Sequence, residues 1–173
     1  MDHRMIVQLD NVSKSYPEGS NNQRREILNS LSLSIESGQS VSVIGPSGCG
    51  KSTLLNIIGT LDPPDSGEVE VCGRNISGLN DKELSALRAD KIGFVFQSHH
   101  LLPQISVIEN VILPNLASSS PIEQSECNNT AAQLLESVGM ADHAHKMPSE
   151  ISGGEMQRVA VVRSMINSPE LLL

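Results

Sequence analysis

A glycine-rich run that ends in a lysine and two hydroxyl residues is the clearest chemical feature of this sequence. The run fits the pattern G-x-x-x-x-G-K-[ST]. Glycines let the backbone turn tightly and aim several N–H groups at one anion, and the N-terminus of a following helix adds partial positive charge. Lys51 can reach the β- and γ-phosphates of a nucleotide, and the Ser52 hydroxyl can ligate Mg²⁺. We call this run the phosphate loop; it consists of Gly45, Pro46, Ser47, Gly48, Cys49, Gly50, Lys51, Ser52 and Thr53.

A strand before the phosphate loop and a helix after it are the structural context that the pattern requires. Residues 40–44 alternate polar and apolar side chains, which predicts a strand, and residues 52–59 predict a helix. The alternative is a glycine-rich turn that carries Lys-Ser by chance. Because such a match arises in fewer than roughly one in a hundred chains of this size, the sequence favours nucleotide binding.

The composition limits the classes of function. Apolar residues make up 38% and aromatic residues 2% of the 173 residues, which predicts one domain with an aliphatic core. The net charge of −8 argues against a general nucleic-acid binder, because such proteins are usually basic. Three cysteines at unrelated spacings, Cys49, Cys72 and Cys127, indicate neither a disulfide framework nor a zinc site and fit a reducing compartment.

The hydropathy pattern predicts neither a signal peptide nor a membrane span. Residues 1–4 are followed by no long apolar run, and no stretch approaches the roughly 18 apolar residues of a membrane helix. Work at a membrane would therefore require a partner that holds the protein there.

The remaining patterns predict strands first and helices later. Alternating apolar side chains predict strands at residues 5–9, 12–16, 27–35 and 68–72, a buried strand at 92–96 and the start of another at 171–173. The opening strands have one polar face, which is typical of antiparallel pairing. Caps and helical periodicity predict helices at residues 83–89, 106–113, 129–138 and 155–167. Pro114 is expected to stop the second helix, before a loose serine-rich connection at residues 117–125.

A second glycine turn runs into a helix at residues 151–155, which we call the signature loop. It consists of Ile151, Ser152, Gly153, Gly154 and Glu155. Such a turn offers N–H groups and a hydroxyl to an anion. Taken alone, the pattern favours an ordinary capped helix, and only its combination with the phosphate loop favours a ligand.

On these two motifs the chain resembles the ATP-binding subunits of ABC transporters over nearly its whole length. The phosphate loop resembles the Walker A motif of that family, and the signature loop resembles its LSGGQ motif, with Ile for Leu and Glu for Gln. Within the family, residues 96–103 and 108–111 look most like the lipoprotein-releasing ATPases, with the macrolide-exporter and cell-division ATPases close behind.

The resemblance implies an α/β fold, a P-loop NTPase core of the ABC ATPase type with an N-terminal antiparallel β part and a helical signature subdomain. Residues 1–173 would form a single nucleotide-binding domain, with the β part and core at residues 1–97 and the helical subdomain at 98–168. Two subunits would face each other head to tail, with each ATP between the phosphate loop of one and the signature loop of the other. The γ-phosphate would then meet the partner's Ser152, Gly153 and Gly154, with Glu155 as a tolerated variant of the signature Gln.

The resemblance also implies roles for single residues near the phosphate loop. Lys51 and the loop amides would hold the β- and γ-phosphates, while Ser52 and Gln97 would hold Mg²⁺ or position water. Lys51 and Gln97 are therefore the candidate catalytic residues. Tyr16 sits where an aromatic ring stacks on adenine, the alternative being a packing residue at a strand edge.

Some features of the family are missing from the 173 residues. Residues 171–173 look like the start of the Walker B strand, but the Asp and Glu that follow it, the D-loop and the switch histidine have no counterpart. We therefore expect a C-terminally incomplete domain. The hypothesis that follows is a fragment that binds ATP weakly at best and does not turn it over.

Other residues have simpler interpretations. Cys49 lies at a helix N-terminus, which favours a reactive thiolate, although a small residue that merely fits is the expected natural role. His99 and His100 are adjacent in an extended segment, so their side chains diverge, and contact with a membrane partner is expected rather than a metal site.

Two further histidines and an arginine are expected to be structural. His143 and His145 lack cysteine or carboxylate neighbours in a ligand pattern, which predicts solvated loop residues. Arg158 lies one turn into the signature helix, where packing or a salt bridge is expected rather than a catalytic role.

Three functions remain open at this point. The first is an ATP-hydrolysing transporter subunit in the cytoplasm, docked on the inner face of the membrane against a transmembrane permease. The second is a soluble ABC ATPase of DNA repair or translation, but such proteins carry large insertions or tandem domains, and this chain is acidic. The third is a non-catalytic nucleotide-binding remnant. No nucleic-acid partner is expected.

Overall fold

A computed structural model describes residues 4–18 and 23–173 of the chain and divides it into two compact units, Met1–Leu84 and Ser85–Leu173. The first unit contains β1 (Met5–Glu18), β2 (Gln23–Glu36), α1 (Lys51–Ile58), β3 (Ser66–Val71), β4 (Arg74–Asn75), a 3₁₀ turn at Ile76–Gly78 and the start of α2 (Asp81–Lys91). The second contains the rest of α2, then β5 (Ile92–Gly93), α3 (Val107–Leu116), α4 (Gln124–Ser137), 3₁₀ turns at Ala141–His143 and Pro148–Glu150, α5 (Gly153–Met165) and β6 (Leu171–Leu172).

The first unit is built on an antiparallel sheet with the strand order β2-β1-β3-β4. The central strand β1 is continuous, whereas the sequence predicts a turn at Asp10 and Asn11. The structure places a register shift between Leu9 and Val12 instead, and Asn11 has a φ of 49°. A β-bulge accommodates such residues without ending the strand, so the two predicted strands are one. Apolar side chains on one face of β1 and β3 are buried: Val7, Leu9, Val12, Val69 and Val71.

The predicted strand at residues 40–44 is wrong. These residues have no strand conformation, and Val41 and Ile44 are 54% and 91% exposed. Alternating side chains form a strand only where a neighbouring strand supplies the backbone hydrogen bonds. Within the described residues, no strand pairs with this segment.

Three helices of the second unit, α3, α4 and α5, pack around one apolar cluster. Its members are Val107, Val111, Cys127, Ala131, Leu135, Met140, Ile151, Val159, Val162 and Ile166. The cluster is aliphatic and sulfur-containing, as the scarcity of aromatic residues predicts. Burial raises the pKa of the Cys127 thiol, which fits an inert core cysteine.

The connection between α3 and α4 is more ordered than the sequence predicts. Pro114 does not stop α3 at once, since the helix continues to Leu116 and ends within one turn of the proline. Asn115 then closes the connection, since its Nδ2 donates to the Ile122 carbonyl at 3.2 Å and its Oδ1 accepts the Ile122 N–H at 3.1 Å. The predicted loose segment is therefore fastened at its base, and α4 begins at Gln124 rather than at residue 129.

The strands of the second unit are short. β5 and β6 pair in parallel, with Ile92 opposite Leu171. The predicted buried strand at 92–96 is confirmed only at its start, although the Val95 N–H still donates to the Leu173 carbonyl at 2.8 Å. Leu172 is 49% exposed, so the last strand is not buried as predicted. Within residues 4–18 and 23–173, no helix has the length and apolar character needed to cross a membrane.

Candidate functional site

The phosphate loop turns tightly, and two of its glycines have a backbone conformation that other residues avoid. Gly48 and Gly50 have φ values of 79° and 96°, in the left-handed region that other residues avoid. A Cβ on Gly45 would lie 2.6 Å from the Cys49 sulfur, and one on Gly50 would lie 2.9 Å from Cγ2 of Ile27. The loop therefore lies close against its own atoms and leads directly into α1.

Lys51 bridges the mouth of the phosphate loop. Its Nζ donates to the carbonyls of Gly45 at 2.9 Å and Pro46 at 2.7 Å, and lies 3.8 Å from the sulfur of Cys49. Carbonyl oxygens are weaker partners for an ammonium than phosphate oxygens, because a phosphate oxygen adds its own negative charge to the hydrogen bond. The Lys51 ammonium is thus already placed where it can exchange these carbonyls for a polyphosphate.

The N-terminus of α1 is suited to an anion. Gly50 is its N-cap, no described side chain caps it, and its first turn carries no acidic residue. Ser47 and Ser52 are exposed, so both hydroxyls are accessible. Backbone N–H groups, one ammonium and two hydroxyls form a donor set that fits a nucleotide's phosphates and an accompanying Mg²⁺.

Tyr16 lies on β1 and is held at its hydroxyl. The O–H donates to Oδ2 of Asp62 at 2.5 Å, and this bond is the main reason why the pKa of Tyr16 is raised. Lys14 donates to Oδ1 of the same carboxylate at 2.5 Å and to the Pro63 carbonyl at 2.6 Å. Burial alone would raise the pKa of Asp62, but the hydrogen bonds from Lys14 and Tyr16 hold it below its ordinary value.

The sequence prediction missed Asp62 and Lys14, although one signal was present. Successive side chains of a strand point to opposite faces, so Lys14 and Tyr16 share a face of β1. In the structure the Lys14 Nζ lies 5.3 Å from the centroid of the Tyr16 ring. The contribution of Asp62 depends on a long-range contact that spacing does not reveal.

The signature loop is a capped helix start. The Ser152 Oγ accepts the Glu155 N–H at 3.4 Å, while Oε2 of Glu155 accepts both the N–H and the O–H of Ser152 at 2.7 Å. These bonds, first the backbone one, lower the pKa of Glu155. Gly153 and Gly154 are exposed, with open space around both. The helix thus begins at Gly153 rather than at the predicted residue 155.

His143 is a correction to the sequence prediction, which made it a solvated loop residue without a carboxylate partner. It is partly buried, and its Nε2 lies 3.5 Å from Oε1 of Glu155. Arg158 behaves as predicted for a packing residue, because its NH2 lies 3.6 Å from the sulfur of Met140.

Gln97 is exposed in a turn a few residues after β5. The residues that follow are held by Arg163 of α5, which donates to the carbonyls of His99 and His100 at 2.6 Å each. His99 and His100 have φ values of 59° and 50° rather than the extended conformation expected. The reason is that the two carbonyls converge on one guanidinium.

The predicted site residues thus form two groups. The first unit brings Tyr16 close to the phosphate loop. A hydrogen bond with the Thr53 side chain lowers the pKa of Tyr16 and so partly offsets the rise caused by Asp62. The second unit contains Gln97 and the signature loop. Among the three cysteines, Cys49 is exposed, whereas Cys72 and Cys127 are buried.

Comparison with known proteins agrees with this geometry. The family model described as ABC transporter matches residues 28–173. The lipoprotein-releasing system ATP-binding protein LolD 1 of Rhodopirellula baltica is 44% identical over 169 residues, which are 98% of this chain and 72% of that protein. The uncharacterized ABC transporter ATP-binding protein YknY of Bacillus subtilis is 47% identical over 168 residues, 97% of this chain and 71% of that protein.

A solved structure agrees as well. The dimeric post-hydrolysis state of the ATP-binding cassette MJ0796, bound to ADP and Pi, has a TM-score of 0.87 and 40% identity. The match covers 96% of this chain and 72% of that chain. The α/β fold with an antiparallel β part and a helical signature region is therefore that of an ABC cassette. The chain belongs to the ABC transporter family, as an ATP-binding subunit of the ATP-hydrolysing ABC type.

Proposed function

We propose that this subunit drives the release of lipoproteins by a membrane permease, using ATP bound at the phosphate loop. The observation that carries the ATP site is the Lys51 ammonium held over the loop carbonyls, next to a helix N-terminus without a side-chain cap. The cargo class is supported by the 42–47% identity to relatives, most of which are named lipoprotein-releasing ATP-binding proteins.

The phosphate loop would bind the nucleotide by exchange of partners. The backbone N–H groups from Gly48 to Thr53 would donate to the phosphates, and Lys51 would leave the Gly45 and Pro46 carbonyls to bind phosphate oxygens. Tyr16 supplies a ring face to the adenine. Catalysis in such a site consists mainly of positioning and charge stabilisation.

Mg²⁺ would enter with the nucleotide. Within residues 4–18 and 23–173, no three His, Cys, Asp or Glu side chains cluster as metal ligands. The phosphates of the nucleotide would themselves supply oxygen ligands. Ser52 would hold the metal from the phosphate loop and Gln97 would reach it or position water. Mg²⁺ would supply charge neutralisation at the phosphates.

The other half of each ATP site would come from a second subunit. In a head-to-tail dimer, Ser152, Gly153 and Gly154 face the γ-phosphate, and Glu155 lies beside them. MJ0796, which has 40% identity to this chain, has been solved as a dimer. ATP then acts as part of the interface, so affinity and chemistry both depend on dimerisation. We further propose that residues 1–173 act as one nucleotide-binding domain, with the core at 1–97 and the helical subdomain at 98–168.

The permease would hold the subunit on the cytoplasmic face of the membrane. Exposed apolar side chains that follow Gln97, including Leu102 at 44% exposure, offer a surface for such a partner. The net charge of −8 disfavours nucleic acid as the partner.

A reconstitution tests the proposed function. The 173-residue chain and the permease encoded beside its gene are placed in proteoliposomes loaded with a lipoprotein, and ATP-dependent release is measured, with Lys51→Ala as the matched control. Release that depends on Lys51 supports the proposal. No release while ATP still binds would instead favour the non-catalytic nucleotide-binding remnant, and co-purification with ribosomes or DNA rather than with the permease would favour a soluble ABC ATPase.

A further inference from the structure

The surroundings of Tyr16 define the part of the ATP site that recognises the base. The first unit contains two parts of the proposed nucleotide site, Tyr16 and the phosphate loop. Three contacts fix its ring: the O–H bond to Asp62, the ammonium of Lys14 over the ring, and the hydrogen-bonding proximity of Thr53. Each comes from a different part of the chain.

Asp62 is the centre of this arrangement. Its two oxygens have different partners: Oδ2 accepts the Tyr16 O–H and Oδ1 accepts the Lys14 ammonium, both at 2.5 Å. Lys14 is 7% exposed and also donates to the Pro63 carbonyl at 2.6 Å, so its own position is fixed. The carboxylate is thus charged and oriented from both sides, and it holds the phenol at its far end.

Lys14 determines which ring face is available. Its Nζ lies over the ring, 5.3 Å from the centroid, in the range of a cation–π contact. An aromatic ring has two faces, and a base can stack only on the face that Lys14 leaves free. A cation on one face also makes the ring a better-fixed platform, because it restricts rotation about the Cα–Cβ bond.

We propose that Asp62 and Lys14 are positioning residues, which hold the Tyr16 ring with one face open so that adenine stacks on it without loss of side-chain entropy. This proposal rests on the proposed function, because it assumes that Tyr16 stacks on the base. Asp62 lies just beyond the C-terminus of α1, whose N-terminus forms the phosphate site. The Tyr16 hydroxyl thus lies between the segment that follows α1 and Thr53 in the first turn of α1, next to the phosphate site.

The sequence makes the test unusually direct. Tyr16 is the only tyrosine and the chain has no tryptophan, so tyrosine fluorescence and tyrosinate absorbance both report this ring alone. ATP binding is measured together with binding of inorganic tripolyphosphate, which occupies the phosphate loop but has no base. A residue that acts on the base platform changes the first affinity and leaves the second unchanged.

The variants are Asp62→Asn, Tyr16→Phe and Tyr16→Ala in the full chain. Asp62→Asn is expected to lower the pKa of Tyr16 and to weaken ATP binding about 3–10-fold, with tripolyphosphate binding unchanged. Tyr16→Phe is expected to weaken ATP binding by a similar factor, and the double variant by no more than Asp62→Asn alone, since Asp62→Asn removes the charged partner of both Tyr16 and Lys14. Asp90→Asn is the matched control, because Asp90 accepts hydrogen bonds from Ser118 and Ser119 and none from Lys14 or Tyr16.

The outcomes separate this proposal from the proposed function. If Tyr16→Ala leaves ATP binding unchanged, the base does not stack there and the assumed role of Tyr16 fails. If Tyr16→Ala weakens ATP binding about tenfold but Asp62→Asn shifts only the Tyr16 pKa, stacking stands and the positioning role is overturned. Equal loss of ATP and tripolyphosphate binding in Asp62→Asn would also overturn it, because Asp62 would then support the fold rather than the base. A loss of ATP binding in Asp90→Asn as large as that in Asp62→Asn would overturn it as well, because the effect would then not be specific to the base platform.

Discussion

The phosphate loop and the signature loop are both glycine turns that start a helix, yet their helix N-termini are satisfied differently. At α5, Ser152 and Glu155 cap each other, and the hydroxyl and two backbone N–H groups already have partners. At α1, Gly50 is the N-cap and no described side chain takes this role. One helix start is closed by its own residues, and the other leaves its donors for an external anion.

This difference indicates that the two loops have different roles in ATP binding. The phosphate loop can bind polyphosphate within one subunit, because its donors are free and its lysine needs only to change partners. The signature loop has to give up the Ser152–Glu155 bond before its hydroxyl can reach a phosphate, and Glu155 adds a negative charge beside it. We therefore expect the first loop to set the affinity for ATP and the second to respond only when a nucleotide is already held by a partner.

The largest expected effect is on ATP affinity through Lys51. Lys51→Ala should weaken ATP binding about 100-fold, because it removes charge-assisted hydrogen bonds to the phosphates that together contribute about 3 kcal/mol more than the loop carbonyls they replace. The thermal midpoint should stay the same, since Lys51 donates only to loop carbonyls. Calorimetric titration with ATP measures the first and thermal unfolding the second. An unchanged ATP affinity in Lys51→Ala would show that the phosphate loop is not the primary ATP site.

The next effect compares two glycines of the phosphate loop. Gly50→Ala should cost more stability than Gly48→Ala, because both have positive φ but only Gly50 faces close atoms, Cγ2 of Ile27 at 2.9 Å and its carbonyl at 3.2 Å. We expect about 1–2 kcal/mol for Gly48→Ala from backbone strain alone. Urea unfolding of both variants gives the difference, and equal losses would contradict the close packing of the loop.

A third prediction uses two matched capping boxes. Ser106 caps α3 with Glu109 as Ser152 caps α5 with Glu155. Ser106→Ala and Ser152→Ala should each lower the free energy of unfolding by about 1 kcal/mol. Only Ser152→Ala should also weaken ATP-dependent association of two chains, measured by analytical ultracentrifugation. An equal effect of both variants on association would show that Ser152 acts only as a helix cap and not in the interface between two chains.

The smallest expected effect is the contribution of the same two capping boxes to the loss of folding stability at acidic pH. Hydrogen bonds from Ser106 and from Ser152 hold the pKa values of Glu109 and Glu155 below their ordinary value of 4.5. A carboxylate with a lowered folded-state pKa stabilises the protein above 4.5, and this contribution is lost as the pH falls below that value. Glu109→Gln and Glu155→Gln should each flatten the loss of stability below pH 4.5. A steeper acid loss in either variant would contradict the assigned hydrogen bonds.

The parts of the fold that depend on local pattern were predictable from the sequence. The turn chemistry of the phosphate loop, the capping box at Ser106 and the antiparallel opening strands follow from residue types at short spacings. The segment at 40–44 has a strand pattern without a described partner strand, and the sequence pattern carries no information about partners. Pro114 was predicted to stop α3, but the helix continues for two more residues before it ends, and the proline alone does not reveal this.

The candidate site shows the same division between local and distant contacts. The members of both loops are consecutive, so their types alone indicated an anion site. Asp62 is 46 residues from Tyr16 along the chain, and the pair meets only because β1 and the segment after α1 are brought together by the fold. The contact of His143 with Glu155 was missed for the same reason.

A complementation assay tests most directly whether the two loops of different chains build one site. Lys51→Ala inactivates the phosphate loop, and Gly153→Asp places a carboxylate in the signature loop, where an added Cβ meets open space and the fold is preserved. In a head-to-tail dimer, a mixture of the two variants contains one intact site, whereas neither variant alone contains any. We predict ATP-dependent association of two chains only in the mixture, although Gly153→Asp alone still binds ATP at its intact phosphate loop. A mixture that behaves like the separate variants would contradict the shared site.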